Sequence, residues 1–124
     1  MASTASIEER ARSIIEVNLA LKDEETLLVV TDEDTYDIGR MLYDVARSMG
    51  VRASMMLMPV GNVNGEEPPS AVSAAMKSAD VVVCPTAKSL THTSARIEAA
   101  AAGARVVTMP GITASMLQEG ASCA

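Results

Sequence analysis

The stretch TLLVVT, residues 26–31, is an apolar run of strand length with a threonine at each end. Such a run, unbroken over so few residues, is typical of a parallel strand that helices cover on both faces. Three further runs of this kind follow, at residues 51–58, 80–84 and 105–109. Together the four runs predict a parallel β-sheet of about four strands.

Segments with helical spacing separate these runs. A first helix is predicted behind Ser6 and Glu9, which have the spacing of a capping box. Further helices are predicted at about residues 35–49, 70–79 and 114–119, and in the alanine-rich stretch that stops at Gly103. Alternating helices and strands with connections too long for hairpins specify right-handed crossovers. We therefore expect an α/β fold, a Rossmann-like or flavodoxin-like open parallel sheet with helices on both faces.

Length and composition bound the domain count and the partners. The chain has 124 residues, which we take as a single domain, residues 1–124. It carries 16 acidic and 10 basic residues, for a formal net charge of −6. That charge repels phosphate backbones and anionic lipids, and the sequence has no Phe or Trp to stack on bases. We therefore expect no nucleic-acid partner and no membrane partner.

Cysteine use and the sheet edges indicate the setting and the assembly. Cys84 lies in an apolar run and Cys123 in a tail of small residues, and the two do not form a CxxC motif. This pattern predicts an unreactive Cys84 and a reduced, cytoplasmic setting. An open four-stranded sheet also leaves two edges that need cover. With nine methionines in the sequence, these edges predict a homo-oligomer or a continuation of the sheet.

Familiar site motifs are missing from the sequence. It has neither GxGxxG after the first strand nor GxxxxGK followed by Ser or Thr, so nucleotide binding has no support. A single histidine and the lack of HExxH leave a hydrolytic zinc site without its usual ligands. We therefore expect no catalytic, cofactor-binding or metal-binding residue in this chain.

Open α/β sheets bind ligands beyond the carboxyl ends of their strands, and two acidic segments fall there. Residues 31–34 carry three carboxylates, which predict a helix N-cap at Asp34, with a divalent-cation site as the alternative. Residues 65–69 combine two glutamates with two prolines. That combination predicts a helix start, with a mobile lid as the alternative.

The segment PTAKSLTHTS, residues 85–94, carries the most chemistry. It places five hydroxyls, Lys88 and the single His92 between a strand end and a helix start. Amides at a helix start attract anions, Lys88 would add to that attraction, and His92 could carry a proton. The alternative is a capped helix start, with Thr91 or Thr93 as N-cap and His92 merely exposed.

The segments at residues 16–32, 65–69, 85–96 and 103–113 resemble a known family. They are similar to the aminopeptidase T or leucyl aminopeptidase-like metallopeptidases, whose relatives include a ring-cleaving 2,5-dihydroxypyridine dioxygenase. The resemblance runs from about residue 7 to residue 116. Its more specific parts are PTAKSLTHT and MPGIT.

This resemblance implies a domain of a longer metalloprotein. It implies an N-terminal domain whose partner, a C-terminal catalytic domain or separate subunit, holds a divalent metal (zinc, cobalt or iron). It also implies that a loop faces the substrate, formed by Lys88, Ser89, Thr91, His92 and Thr93. Because the sequence stops at Ala124 without metal ligands, we expect a non-catalytic domain that shapes substrate access or assembly and is inactive alone. The alternatives are a stand-alone small-ligand-binding or oligomerisation module, or a domain of a dioxygenase relative.

Overall fold

The computed structural model describes residues 9–22 and 24–111. A helix occupies residues 9–13 and continues as a π-helical turn, Ile14–Asn18. Four strands and three further helices then alternate: β1 (Thr26–Asp32), α1 (Tyr36–Ser48), β2 (Arg52–Met58), α2 (Ser70–Ser78), β3 (Val81–Cys84), α3 (Ser94–Ala101) and β4 (Arg105–Thr108). The helix predicted near residues 114–119, Ser6 of the capping box, and Cys123 lie outside the described residues. Within the described ranges no helix is both long and apolar enough to cross a bilayer.

The strands form one parallel sheet in the order β2-β1-β3-β4. Leu27 of β1 lies opposite Ala53 of β2 on one side and Val81 of β3 on the other. The chain leaves β1 towards one side through α1 and reaches the other side through α2, so the order reverses between β1 and β3. The structure confirms the predicted open α/β fold, and this point of reversal is where such sheets bind ligands.

Side chains of β1 alternate between two apolar layers, as strand geometry requires. Leu27 and Val29 pack in the layer formed with the first helix and α1. Leu28 and Val30 pack in the layer formed with α2 and α3. Because helices cover both faces, all four side chains are buried, and the stretch shows no alternation with polar residues.

Arg105 fastens the edge strand β4 to the end of the first helix and to the connection before β1. Arg105 donates from Nη2 to the Glu25 carboxylate at 2.8 Å and to the carbonyl oxygen of Leu19 at 3.0 Å. The hydrogen bond from Arg105 lowers the pKa of Glu25 to about 2. The same hydrogen bond raises the pKa of Arg105. The pair therefore holds the connection before β1 against the far edge of the sheet.

Helix α1 comes very close to β1 at the buried Gly39. A Cβ atom on Gly39 would lie 2.6 Å from Cβ and 2.8 Å from Oγ1 of Thr31. Such distances are far inside van der Waals contact, so this approach requires glycine. The hydroxyl groups of Thr31 and Thr35 also form a hydrogen bond, with 3.0 Å between their Oγ1 atoms. The helix is thus fixed directly beside the carboxyl end of β1.

We predict that Gly39→Ala lowers the free energy of unfolding by at least about 1 kcal/mol, because overpacking costs more than the helix propensity that alanine gains. Urea denaturation measures the change. The control is Gly61→Ala, whose added Cβ would meet no atom closer than 3.7 Å and should leave stability nearly unchanged. A Gly39→Ala variant as stable as the native chain would contradict the close packing.

Candidate functional site

A cavity of about 270 Å³ lies at the carboxyl ends of β1 and β2. Its apolar wall is formed by Met58, Pro59, Val60, Val63, Pro68 and Leu90. Its charged lining residues are Asp32, Glu66, Glu67 and Lys88. The cavity occupies the position at which open α/β sheets bind ligands.

Most of the cavity wall comes from one segment, residues 59–69, which we call the strap. The strap connects β2 to α2 and lies against residues 85–93, which we call the hydroxyl loop. The Gly65 amide donates to the carbonyl oxygen of Ser89 at 2.9 Å, and the Ser89 amide donates to Oδ1 of Asn64 at 2.8 Å. The structure therefore brings together two segments that the sequence offered as separate candidates.

A carboxylate of the strap occupies the start of α3. The Ser94 amide donates to Oε2 of Glu67 at 2.6 Å, and the Ala95 amide donates to Oε1 at 3.1 Å. The N-cap of α3 is Thr93, whose Oγ1 accepts from the Arg96 amide at 3.1 Å, as one of the two sequence alternatives proposed. The helix start was expected to attract an anion, and here the anion is a side chain of the chain itself.

The hydroxyls of the hydroxyl loop mainly hold the loop in shape. The hydrogen bonds are Thr86 Oγ1 to the carbonyl of Lys88 (2.6 Å), the Thr91 amide to Ser89 Oγ (3.1 Å), Thr91 Oγ1 with Thr108 Oγ1 (2.7 Å), and Thr93 Oγ1 to the carbonyl of Leu90 (2.7 Å). Each hydroxyl thus has a partner within the protein.

The five residues predicted to face substrate fall in different environments. Lys88 lines the cavity and is exposed, and within the described ranges its ammonium has no hydrogen bond or ion pair. His92 is exposed and is not part of the cavity lining. Ser89 and Thr91 are half-buried, and Thr93 is buried. Lys88 is therefore the member of this set that lines the cavity.

Asp32, which the sequence grouped with two exposed acids, is buried and joins three parts of the fold. Its Oδ1 accepts from the amides of Asp34 at 3.0 Å and Thr35 at 3.1 Å, where α1 begins. Its Oδ2 accepts from the Ala87 amide in the hydroxyl loop at 2.7 Å. The Thr35 hydroxyl adds a hydrogen bond to the carbonyl oxygen of Pro85.

The N-cap predicted at Asp34 is wrong. Thr35 is the N-cap residue, and Asp32 supplies the carboxylate to the amides before α1, because the chain turns immediately after β1. Asp34 is left exposed. As for the alternative of a cation site, no group of three or more His, Cys, Asp or Glu residues within the described ranges is placed to hold a metal ion.

Cys84 at the end of β3 is fully buried. Burial raises the pKa of its thiol to about 12, because the thiolate would be desolvated. This agrees with the prediction of an unreactive thiol.

Together these features define an α/β domain with an open parallel sheet and a ligand-sized cavity at its carboxyl edge. Among solved structures, it is similar to 2,5-dihydroxypyridine dioxygenase from Pseudomonas putida KT2440, with a TM-score of 0.72 and 13% identity over 87% of this chain. It is also similar to wild-type AmpT from Thermus thermophilus, with a TM-score of 0.56 and 12% identity over 94% of this chain. The likeness shows a shared fold.

The chain spans 35% of the dioxygenase and 41% of AmpT. No protein-family model matches the sequence, and no curated protein matches it.

We predict that Asp32→Asn lowers the free energy of unfolding by about 2 kcal/mol, because a buried carboxylate accepting several amide hydrogen bonds is replaced by a neutral amide. Chemical denaturation measures the loss. Asp34→Asn removes a neighbouring exposed carboxylate and should change stability by less than about 0.5 kcal/mol. Equal stability of the two variants would show that Asp32 does not join these segments.

Proposed function

We propose that this chain is a substrate-shaping α/β domain of an aminopeptidase T-like metalloprotein. Its cavity would form one wall of a substrate site that a metal-binding domain or subunit completes. The observation that carries the proposal is the cavity at the carboxyl edge of the sheet, enclosed between the strap and the hydroxyl loop. The sequence resemblance and the shared fold with AmpT support the same family.

The hydrogen bonds of the carboxylates that line the cavity support a role in shaping the site. Asp32 and Glu67 each accept backbone amides on both oxygens, and Glu66 accepts from the Asn62 amide at 2.6 Å. Carboxylates engaged in this way are poorly available as metal ligands or as general bases. We therefore assign the zinc, cobalt or iron of the family to the partner domain.

The unpaired Lys88 supports a role in binding. An ammonium beside apolar walls suits a ligand with an apolar body and an anionic group. In this proposal Ser89, Thr91 and Thr93 maintain the loop that positions Lys88, and His92 faces the partner domain. The fold similarity to the dioxygenase supports the alternative that the same cavity serves a ring-cleaving relative.

Binding of leucine and of leucinamide to the purified chain tests the proposal. We expect leucine to shift the amide NMR signals of Val60, Gly61 and Leu90, which line the cavity. Lys88→Gln should weaken leucine binding about two- to fivefold, as expected for an exposed ion pair, and leave leucinamide unaffected because it lacks the carboxylate. Gly61→Ala, which narrows the cavity without a clash, should weaken both.

Two outcomes would contradict the proposal. One is signal shifts that map away from the cavity. The other is hydrolysis of leucyl-anilide, or consumption of 2,5-dihydroxypyridine, by the chain alone with zinc, cobalt or iron, because a shaping domain has no turnover of its own.

We further propose that the chain forms a homo-oligomer, in a reduced cytoplasmic setting. The edge strand β2 supports this assembly, because residues 53–58 carry no charge and the Leu57 side chain is 54% exposed. Edges of this kind are usually blunted by charge or covered by another chain.

Sedimentation velocity tests the assembly. We expect the native chain to self-associate at high concentration and Leu57→Lys to reduce this, because a lysine at the edge opposes strand pairing. Ile97→Lys on α3, also 54% exposed in the native chain, is the matched control and should not alter association. A strictly monomeric native chain would contradict the assembly.

A further inference from the structure

The strap is held on the protein mainly by polar contacts. Its central apolar residue, Val63, is 61% exposed and contributes little burial. Within residues 60–67, Asn64 and Gly65 are hydrogen-bonded to Ser89, and Glu67 accepts from amides at the start of α3. At the end of the strap, the Pro69 carbonyl accepts from the first amides of α2. Segments with few buried apolar contacts and solvent-exposed hydrogen bonds open at low free-energy cost.

Glu67 makes the strongest of these attachments. Both of its oxygens accept amides of α3, and a carboxylate is favoured at a helix start by the helix dipole. Glu67 is nevertheless exposed, so water competes for the same amides. An exposed, charge-assisted contact of this kind stabilises the strap in its closed position, but thermal motion can still break it.

The two ends of the strap are stiff, whereas its middle contains glycines. Pro59 stands at one end, and the buried Pro68, followed by Pro69, stands at the other. A Cβ on Gly61 would meet no atom closer than 3.7 Å, and Gly65 adopts a φ of +87°, which L side chains rarely adopt. Residues 60–67 can therefore swing between fixed ends.

We propose that the strap is a gate of the cavity and that Glu67 is its latch. When Glu67 leaves the amides of Ser94 and Ala95, residues 60–67 open as one unit and expose the cavity floor at Leu90. The gate requires only the cavity and the strap, and it does not depend on which reaction takes place at the cavity.

Amide hydrogen exchange measured by NMR tests whether the strap opens as a unit. The variant is Glu67→Gln, and Glu66→Gln, which removes the adjacent charge, is its matched control. We expect Glu67→Gln to speed exchange about tenfold at Ser94 and Ala95, and equally at the Gly65 and Ser89 amides, which Glu67 does not touch. Glu66→Gln should leave these four amides nearly unchanged.

Access to the cavity floor gives a second readout. Leu90 lines the cavity and is 3% exposed, so Leu90→Cys places a buried thiol beside the strap, and we expect opening of the strap to make it accessible to iodoacetamide. We expect its alkylation, located by peptide mass, to be about tenfold faster with Glu67→Gln than with Glu66→Gln. Should Glu67→Gln fail to fold, Asn64→Ala releases the strap from Ser89 and must speed the same alkylation.

Three results would overturn the gate. Faster exchange confined to Ser94 and Ala95 would make Glu67 a helix cap and nothing more. An unchanged alkylation rate would mean that the strap does not control access. Equal effects of Glu66→Gln and Glu67→Gln would assign the change to the lost charge in general and not to the latch.

Discussion

The carboxyl edge of the sheet depends on the buried carboxylate of Asp32. A charge without water around it is costly unless hydrogen bonds replace its hydration. Asp32 meets this requirement with amides from the start of α1 and from the hydroxyl loop, including Ala87 at 2.7 Å. Because it ends the central strand, these bonds fix the position of α1 and of the hydroxyl loop together.

The close packing of α1 on β1 follows from the same constraint. The helix begins one turn from Asp32, so Gly39 is brought directly over Thr31. A larger residue at Gly39 would push the helix away and pull on the hydrogen bonds at its start. The buried carboxylate and the glycine are therefore two parts of one arrangement that positions α1 at the carboxyl end of β1.

A second carboxylate repeats this chemistry on the other side of the cavity. Glu67 occupies the start of α3 as Asp32 occupies the start of α1, and each draws a neighbouring loop into place. The difference is exposure, since Asp32 is buried and Glu67 meets solvent. Burial therefore shields the first contact from competing water, whereas the exposure of the second suits the proposed gate. Lys88 remains as the cavity's charge without a partner in the described part of the chain.

The fold could be predicted because its signals are local. Each signal determines the structure of the few residues around it. Examples are the apolar run of β1, Gly50 after α1, and the Thr93 hydroxyl before α3. The latch could not be predicted, because Glu67 and Ser94 meet only after the chain has folded, 27 residues apart. The sequence alone does not show whether Asp34 or Asp32 serves the amides before α1, because both precede the helix and the answer depends on where the chain turns. An Asp at the end of a strand with Thr three residues later, as in residues 32–35, was the signal that could have found it.

The most direct test of this account is the hydrogen bond between Asp32 and Ala87. A scalar coupling across that bond, between the Ala87 amide nitrogen and the side-chain carboxyl carbon of Asp32, can be measured by NMR. The account predicts a detectable coupling together with slow exchange of the Ala87 amide. No coupling, with an Ala87 amide that exchanges like a free loop, would show that the carboxylate does not hold the two segments together.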